Sequence, residues 1–412
     1  RFPKFIKIKM NIERPVLQDV YSSAFEEVSK VFCPASKDMR IAIAIGSRGI
    51  ANIDTIAKAT ADAVKEKGCR PFIVAAMGSH GNGTVEGQLE VLEAYGITEK
   101  TMGYPVVAAD ETVELPAKRF EFPLHINKKA WESDGIIVVN RVKKHTDIHG
   151  EHESGLLKMM AIGLGYKTQA NLLHRNGMDY LYQSIIKIAA DTLDTGKILC
   201  GLGIVENAFG ETALVRGCTA DDMFETDKDL LKYSKQISAK LPVEDLDVLV
   251  IDEGGKDKSG SCIETNVIGR MDLWYETELT SPRIKRIALL GLTEKSHGNG
   301  AGVGLADFIT KRFFDAMDLE PGYTNCITSS VPERAKIPVI MKNDAEAIHA
   351  AMSTCRFFDW DNPRIIRIHD TNNLEYMLVS PAVYKEIQNL PFINLIEDGL
   401  DIVDDNGDIV PF

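Results

Sequence analysis

The feature that most constrains this chain is the rhythm of its first two hundred residues, in which short apolar runs alternate with amphipathic stretches. RIAIAIG (40–46) and RPFIVAAMG (70–78) are apolar almost throughout, as strands buried on both faces must be. Between them NIDTIAKATADAVKEKG carries apolar residues at helical spacing, an acid near its start and a glycine stop. GIIVVNRV (135–142) and KILCGLGIVE (197–206) continue the series as further strands. Strand, helix, strand in this order predicts parallel βαβ units and an α/β sheet covered on both faces.

The pattern restarts downstream. A polar helical segment, 223–247, closes on Leu-Pro and leads to LDVLVIDEGG (246–255). RIALLGL (286–292) then runs into a Gly-rich loop and a helical stretch, and 362–380 reads as two more strands. With 412 residues the chain exceeds the usual size of one core. The expected fold is α/β with two domains, 1–240 and 241–412, mainly parallel sheets and an interdomain active-site cleft.

A net charge of −13 argues against a nucleic-acid partner. No apolar run is long enough to span a bilayer, so no membrane partner is expected. The seven cysteines are scattered with no CxxC, which predicts reduced thiols. RFPKFIKIKMN has no apolar signal core, and a cytoplasmic protein is expected.

Ligands of open parallel sheets bind beyond the carboxyl ends of the strands. Three loops at such ends hold reactive residues. Arg48 in GSRGIANI is either a solvated cation after a turn or a guanidinium fork for a carboxylate or phosphate. His80 in MGSHGNGT sits among small residues on a rigid edge, which suits general acid–base work. His297 in KSHGNGAG has similar surroundings, and its loop is a poor match to a dinucleotide fingerprint. In HTDIHGEHESGLLKMMAIGLGYKTQANLLH (145–174), His145, His149 and His152 would share one face of a helix, either as a zinc-like site or as exposed histidines with no metal. Gly150 weakens that helix. Lys158, between Leu157 and Met159, must be paired, snorkelling or reacting.

Together these loops resemble the nickel-dependent lactate racemase family over roughly 40–180. The resemblance implies two α/β domains around a nickel-pincer nucleotide, a pyridinium mononucleotide joined covalently to a lysine. Arg48 matches the family's anion-binding arginine, and His80 in GSH its first catalytic histidine some thirty residues on. His145 matches the second catalytic histidine, Lys158 in SGLLK, after Ser154 and Gly155, the cofactor lysine, and His174, sixteen residues further, the nickel ligand. Departures are visible. The family's acid before the arginine falls on Ile45, its Gly-Gly-x-Lys becomes Gly-Leu-Leu-Lys, and the longer histidine-to-lysine gap lets His149 compete with His145. Glu264 stands near the family's glutamine, no lysine follows it, and Glu264 with Asn266 hints at a substrate more polar than lactate.

The resemblance implies a racemase or epimerase of a small anionic 2-hydroxy acid. His80 and His145 would be acid–base groups on the two sides of a planar intermediate, with Arg48 holding the carboxylate. It also implies dependence on a cofactor biosynthesis machinery. Two alternatives stay open: a nickel-free, metal-dependent lyase or epimerase using His145, His149 and His152, and a non-catalytic small-anion-binding homologue.

Overall fold

The structure is a computed structural model describing residues 2–47, 49–174, 177–274 and 276–412, with His174 described in its backbone alone. It divides into two compact units, residues 14–238 and residues 1–13 with 239–412. The first thirteen residues, expected in the N-terminal domain, therefore belong with the C-terminal part. The reason is β1 (Phe5–Met10), whose partners come from the far end of the chain.

In the unit 14–238, β2 (Arg40–Ile45), β3 (Arg70–Ala75) and β4 (Val106–Val107) are parallel neighbours. A small antiparallel pair, β5 (Thr112–Leu115) and β6 (Leu124–Asn127), stands apart from them. β7 (Gly135–Arg141) pairs with the other side of β2, followed by parallel β8 (Ile198–Glu206) and antiparallel β9 (Thr212–Thr219). The sheet order is β4-β3-β2-β7-β8-β9. Every residue from Ile41 to Ile45 is fully buried, as the continuous apolar run requires. Ile41, Ile43 and Ile45 pack in one cluster with Ile56, Ala57 and Val64 of the helix Ile53–Glu66. Burying each isoleucine contributes about 1.5–3 kcal/mol.

In the other unit, β10 (Asp245–Gly254), β11 (Arg283–Leu292), β12 (Phe308–Thr310), β13 (Val339–Met341) and β14 (Ile365–Ile368) are parallel. β15 (Tyr376–Val379), β1 and β16 (Ile393–Leu400) extend the sheet antiparallel. Its order is β13-β12-β11-β10-β14-β15-β1-β16. β1 pairs Ile6 with Val379 and Ile8 with Met377, so its isoleucines enter the core while Lys7 and Lys9 stay at the surface side. The stretch after RIALLGL, read as a loop and a helix, also contains the strand β12 before its short helix Lys311–Asp315.

Candidate active site

Within the unit 14–238 the chain leaves β2 for β3 and β4 on one side, then returns to β7 and β8 on the other. The carboxyl ends of β2 and β7 thus form a topological switch point, where open α/β sheets bind ligands. Gly46 and Ser47 follow β2 there. A Cβ on Gly46 would lie 3.0 Å from Met159 Cε and 3.1 Å from Asn140 Oδ1, so this strand end is closely packed from two directions. Arg48, the expected anion fork, lies outside the described residues.

His80 stands on the loop after β3. The loop is tightly wound: the His80 N–H donates to Met77 O (3.2 Å) and the Gly83 N–H to His80 O (3.3 Å). Gly81 has φ +64, and a Cβ on it would fall 2.5 Å from the carbonyl carbon of Gly87, so only glycine closes the turn. His80 is half-buried, and its Nδ1 is hydrogen-bonded to Ser47 Oγ. That bond ties the loop after β3 to the loop after β2 and orients the imidazole.

The Lys158 segment packs against the same loop. The chain forms one helical turn, Leu156–Lys158, and passes into a π turn, Met159–Gly163, a rare irregularity that concentrates at functional sites. Gly78 N–H donates to Gly163 O (3.2 Å), and Tyr166 Oη–H donates to Gly83 O, so this segment holds the His80 loop from two sides. Leu157 and Met159 are buried while Lys158 is half-buried. The cation therefore occupies the open side of an apolar turn. The turn is anchored at its start, where the Asn140 amide donates to Gly155 O (2.8 Å) and the Leu156 N–H to Asp227 Oδ1 (2.6 Å). A Cβ on Gly155 would sit 2.1 Å from that carboxylate oxygen, which explains the glycine.

His145 lies on a loop rather than a helix. Paired hydrogen bonds between Lys143 and Ser154 (2.9 and 3.2 Å) close residues 144–153 into a surface loop. Buried Glu153 fills it, accepting from His145 N–H (2.8 Å) and Gly150 N–H (3.3 Å) and pairing with Lys235 Nζ (2.5 Å). His145 Nδ1 accepts from the N–H groups of Asp147 (3.0 Å) and Ile148 (3.1 Å). Both donors are backbone amides, which suits an acceptor nitrogen at Nδ1.

The shared helical face of His145, His149 and His152 is thereby corrected. His152 turns into the interior, its Nδ1 3.1 Å from Asp227 Oδ2 and its ring edge-on to Phe224 at 5.4 Å. Helical spacing misled because Gly150 and the buried Glu153 carboxylate make loop closure the better solution for this segment. Among the described residues no three His, Cys, Asp or Glu side chains gather as a metal site, so the three-histidine centre of the lyase alternative is not formed.

His174 ends the helix Tyr166–His174, and its side chain lies outside the described residues. In the other unit, Glu264 caps the helix Thr265–Ile268 and accepts from the Asn266 side chain (3.0 Å), so these two residues bond each other. His297 is exposed at a left-handed turn end.

Several positions that hold these strand ends together had no sequence signal of their own. Arg141 and Glu206, at the ends of adjacent β7 and β8, form a largely buried ion pair (15% and 11% exposed side chains). Glu206 Oε1 also accepts from Ala51 N–H (2.7 Å), which fastens the segment following Ser47. An arginine and a glutamate that far apart in sequence are found only through strand register. No motif marks Ser47 or Asp227 in the sequence.

The fold and site define an α/β protein with an imidazole, a serine and a lysine-bearing turn clustered at the switch point of a parallel sheet. The chain belongs to the DUF362 family, described as a domain of unknown function, whose pattern matches residues 49–260, just over half of its length. No curated protein matches it. Among solved structures it is similar to a Thermotoga maritima protein, at 14% identity over 68% of this chain and 71% of that one, TM-score 0.48. It is similar also to the lactate racemase apoprotein of Thermoanaerobacterium thermosaccharolyticum, at 11% identity over 82% and 97%, TM-score 0.48. Likenesses at this level carry no argument about activity.

Proposed function

We propose that this chain is an isomerase that inverts the hydroxyl-bearing carbon of a small 2-hydroxy acid, with sugar acids as the candidate class. The observation that carries the reading is the Ser47–His80 hydrogen bond at the β2 and β3 ends, beside the turn that bears Lys158. With Nδ1 engaged by Ser47, His80 has Nε2 as the atom to take the substrate's hydroxyl proton and return it. Arg48, next to Ser47 in sequence, is assigned the substrate carboxylate through a bidentate contact. His145 is assigned the substrate's hydroxyl oxygen.

One observation supports a nickel-pincer nucleotide. A half-buried amine on an apolar turn becomes easier to accommodate once it is converted into a neutral amide, and Lys158 is such an amine. A metal that brings most of its ligands within the cofactor needs one protein donor, assigned here to His174, and imidazole suits nickel. Ser154 and Gly155 lead into the anchoring turn, and Asp227 holds its N-terminal end. When bound, the group supplies a hydride acceptor for the substrate carbon. The reading implies a cofactor-assembly pathway as partner and a cytoplasmic site of action. No helix among the described residues is long and apolar enough to cross a membrane.

The test is intact-mass spectrometry of protein made in a host with the cofactor pathway, alongside a panel of 2-hydroxy acids with chiral product analysis. Wild type is expected to carry an added mass that Lys158→Ala lacks, and to invert at least one substrate. The same added mass on both proteins, or none on wild type, sinks the cofactor assignment, and an unchanged panel sinks the isomerase.

A further inference from the structure

We infer that Tyr166 is a positioning residue for His80, its phenol fixing the turn on which the imidazole stands. This rests on the hydroxy-acid reading above, in which His80 moves the proton. Residues 81–83, just past the imidazole, are Gly-Asn-Gly, all three left-handed, at φ +64, +56 and +59. Such a segment has little side chain to pack and many backbone states to choose from, so it needs an outside hold. Gly83 provides the handle. Its carbonyl accepts from Tyr166 Oη–H, and its N–H donates to His80 O (3.3 Å). One residue therefore links the phenol to the backbone of His80, whose ring in turn reaches Ser47 Oγ.

The backbone of Tyr166 argues for a purpose beyond filling space. Its φ is +57, a conformation that glycine adopts freely and that a residue with a Cβ adopts at a cost. Strain of this kind persists where the surroundings enforce it, and it gathers at functional sites. Here the enforcement comes from the π turn Met159–Gly163 just before, whose last carbonyl accepts from Gly78 N–H (3.2 Å) at the start of the His80 loop. Tyr166 is 2% exposed, and burial pushes its phenol above the ordinary 10, so at neutral pH it keeps the hydrogen that it donates. Lys167 Nζ also reaches Gly83 O (3.3 Å), but from an exposed side chain for which water competes. The phenol is the stronger hold.

The experiment follows the His80 ring by NMR in the folded, cofactor-free chain, its signals assigned by their loss in His80→Gln. Tyr166→Phe removes the hydroxyl and keeps the volume of the ring. It is expected to shift and broaden the His80 signals, while those of His349 and His369, in the other unit, stay in place. Lys167→Met should leave all of them unchanged. In the loaded enzyme Tyr166→Phe should lower kcat about 10–100-fold, the scale of a misplacement near 1 Å, with KM within about twofold of wild type. A tyrosine that only fills the core would instead lower the unfolding midpoint and leave kcat and the His80 signals alone. His80 signals that superimpose on those of wild type, a wild-type kcat in Tyr166→Phe, or an equal effect of Lys167→Met would overturn the inference. Failure of wild type to turn over any 2-hydroxy acid would sink the reading above, and the ring signals would still decide whether Tyr166 places His80.

Discussion

His152 Nδ1 lies 3.1 Å from Asp227 Oδ2, and the other oxygen of that carboxylate accepts the Leu156 N–H at 2.6 Å. One buried acid on the helix Met223–Ile237 thus joins the His145 loop to the turn that carries Lys158. Removing it strands two polar groups at once. Asp227→Ala is expected to lower stability by about 1–3 kcal/mol for the unsatisfied groups left behind. Urea unfolding decides the point, and a variant as stable as wild type would show that the carboxylate does not hold the turn.

Gly155 faces the same carboxylate with no room for a methyl group, its Cβ position being 2.1 Å from Asp227 Oδ1. Gly155→Ala should cost about 1–3 kcal/mol as an overpacked site. Because the displaced turn bears Lys158, the variant should also acquire less of the added mass than wild type under the same expression conditions. An unaltered denaturation midpoint would contradict the packing argument.

Acid should weaken the unit 14–238. The Arg14 guanidinium, with help from the Asn207 amide, brings Glu211 down to about 2 from 4.5. Burial pushes the Asp191 carboxyl up, but the backbone N–H and guanidinium of Arg119 and the N–H of Phe120 outweigh it, leaving Asp191 below its ordinary 3.8. Folded values below unfolded ones mean stability present above those ordinary values and lost as pH falls through the folded ones. Thermal midpoints should therefore decline from about pH 4.5 towards about pH 2 for the Glu211 contribution. Glu211→Gln should flatten part of that decline, and an identical acid limb in the variant would refute it.

The thiols should react unequally. Cys33 is exposed, and the other six cysteines are buried without disulfides. Burial pushes Cys262 and Cys218 up to about 12, where almost no thiolate exists at neutral pH. Native protein treated with iodoacetamide should gain a single label, at Cys33, with the remainder reacting only after denaturation. Several labels on the native chain would show that the interior thiols are reached.

Much of the sheet was legible because its central strands are buried on both faces. A run such as IAIAI has no polar face to offer a helix or a surface strand, and Ile41–Ile45 are indeed fully buried. The strand-end position of His80 followed from the same runs. The partners of β1 did not, since FIKIKM alternates like any half-exposed strand and pairs with Tyr376–Val379 and Ile393–Leu400, almost the whole chain away. The histidines at 145, 149 and 152 were misread for a related reason. Their spacing is local, while the Glu153–Lys235 and His152–Asp227 pairs that organise the loop join positions some eighty residues apart.

What the amino-acid order determined alone was the alternation of strand and helix, and with it the strand ends at which polar side chains collect, because burial on two faces leaves a mark on every residue of a strand. What each imidazole bonds to was decided only in three dimensions. A ring is oriented by the donors and acceptors that surround it, and at His80 the Ser47 hydroxyl comes from the end of a neighbouring strand.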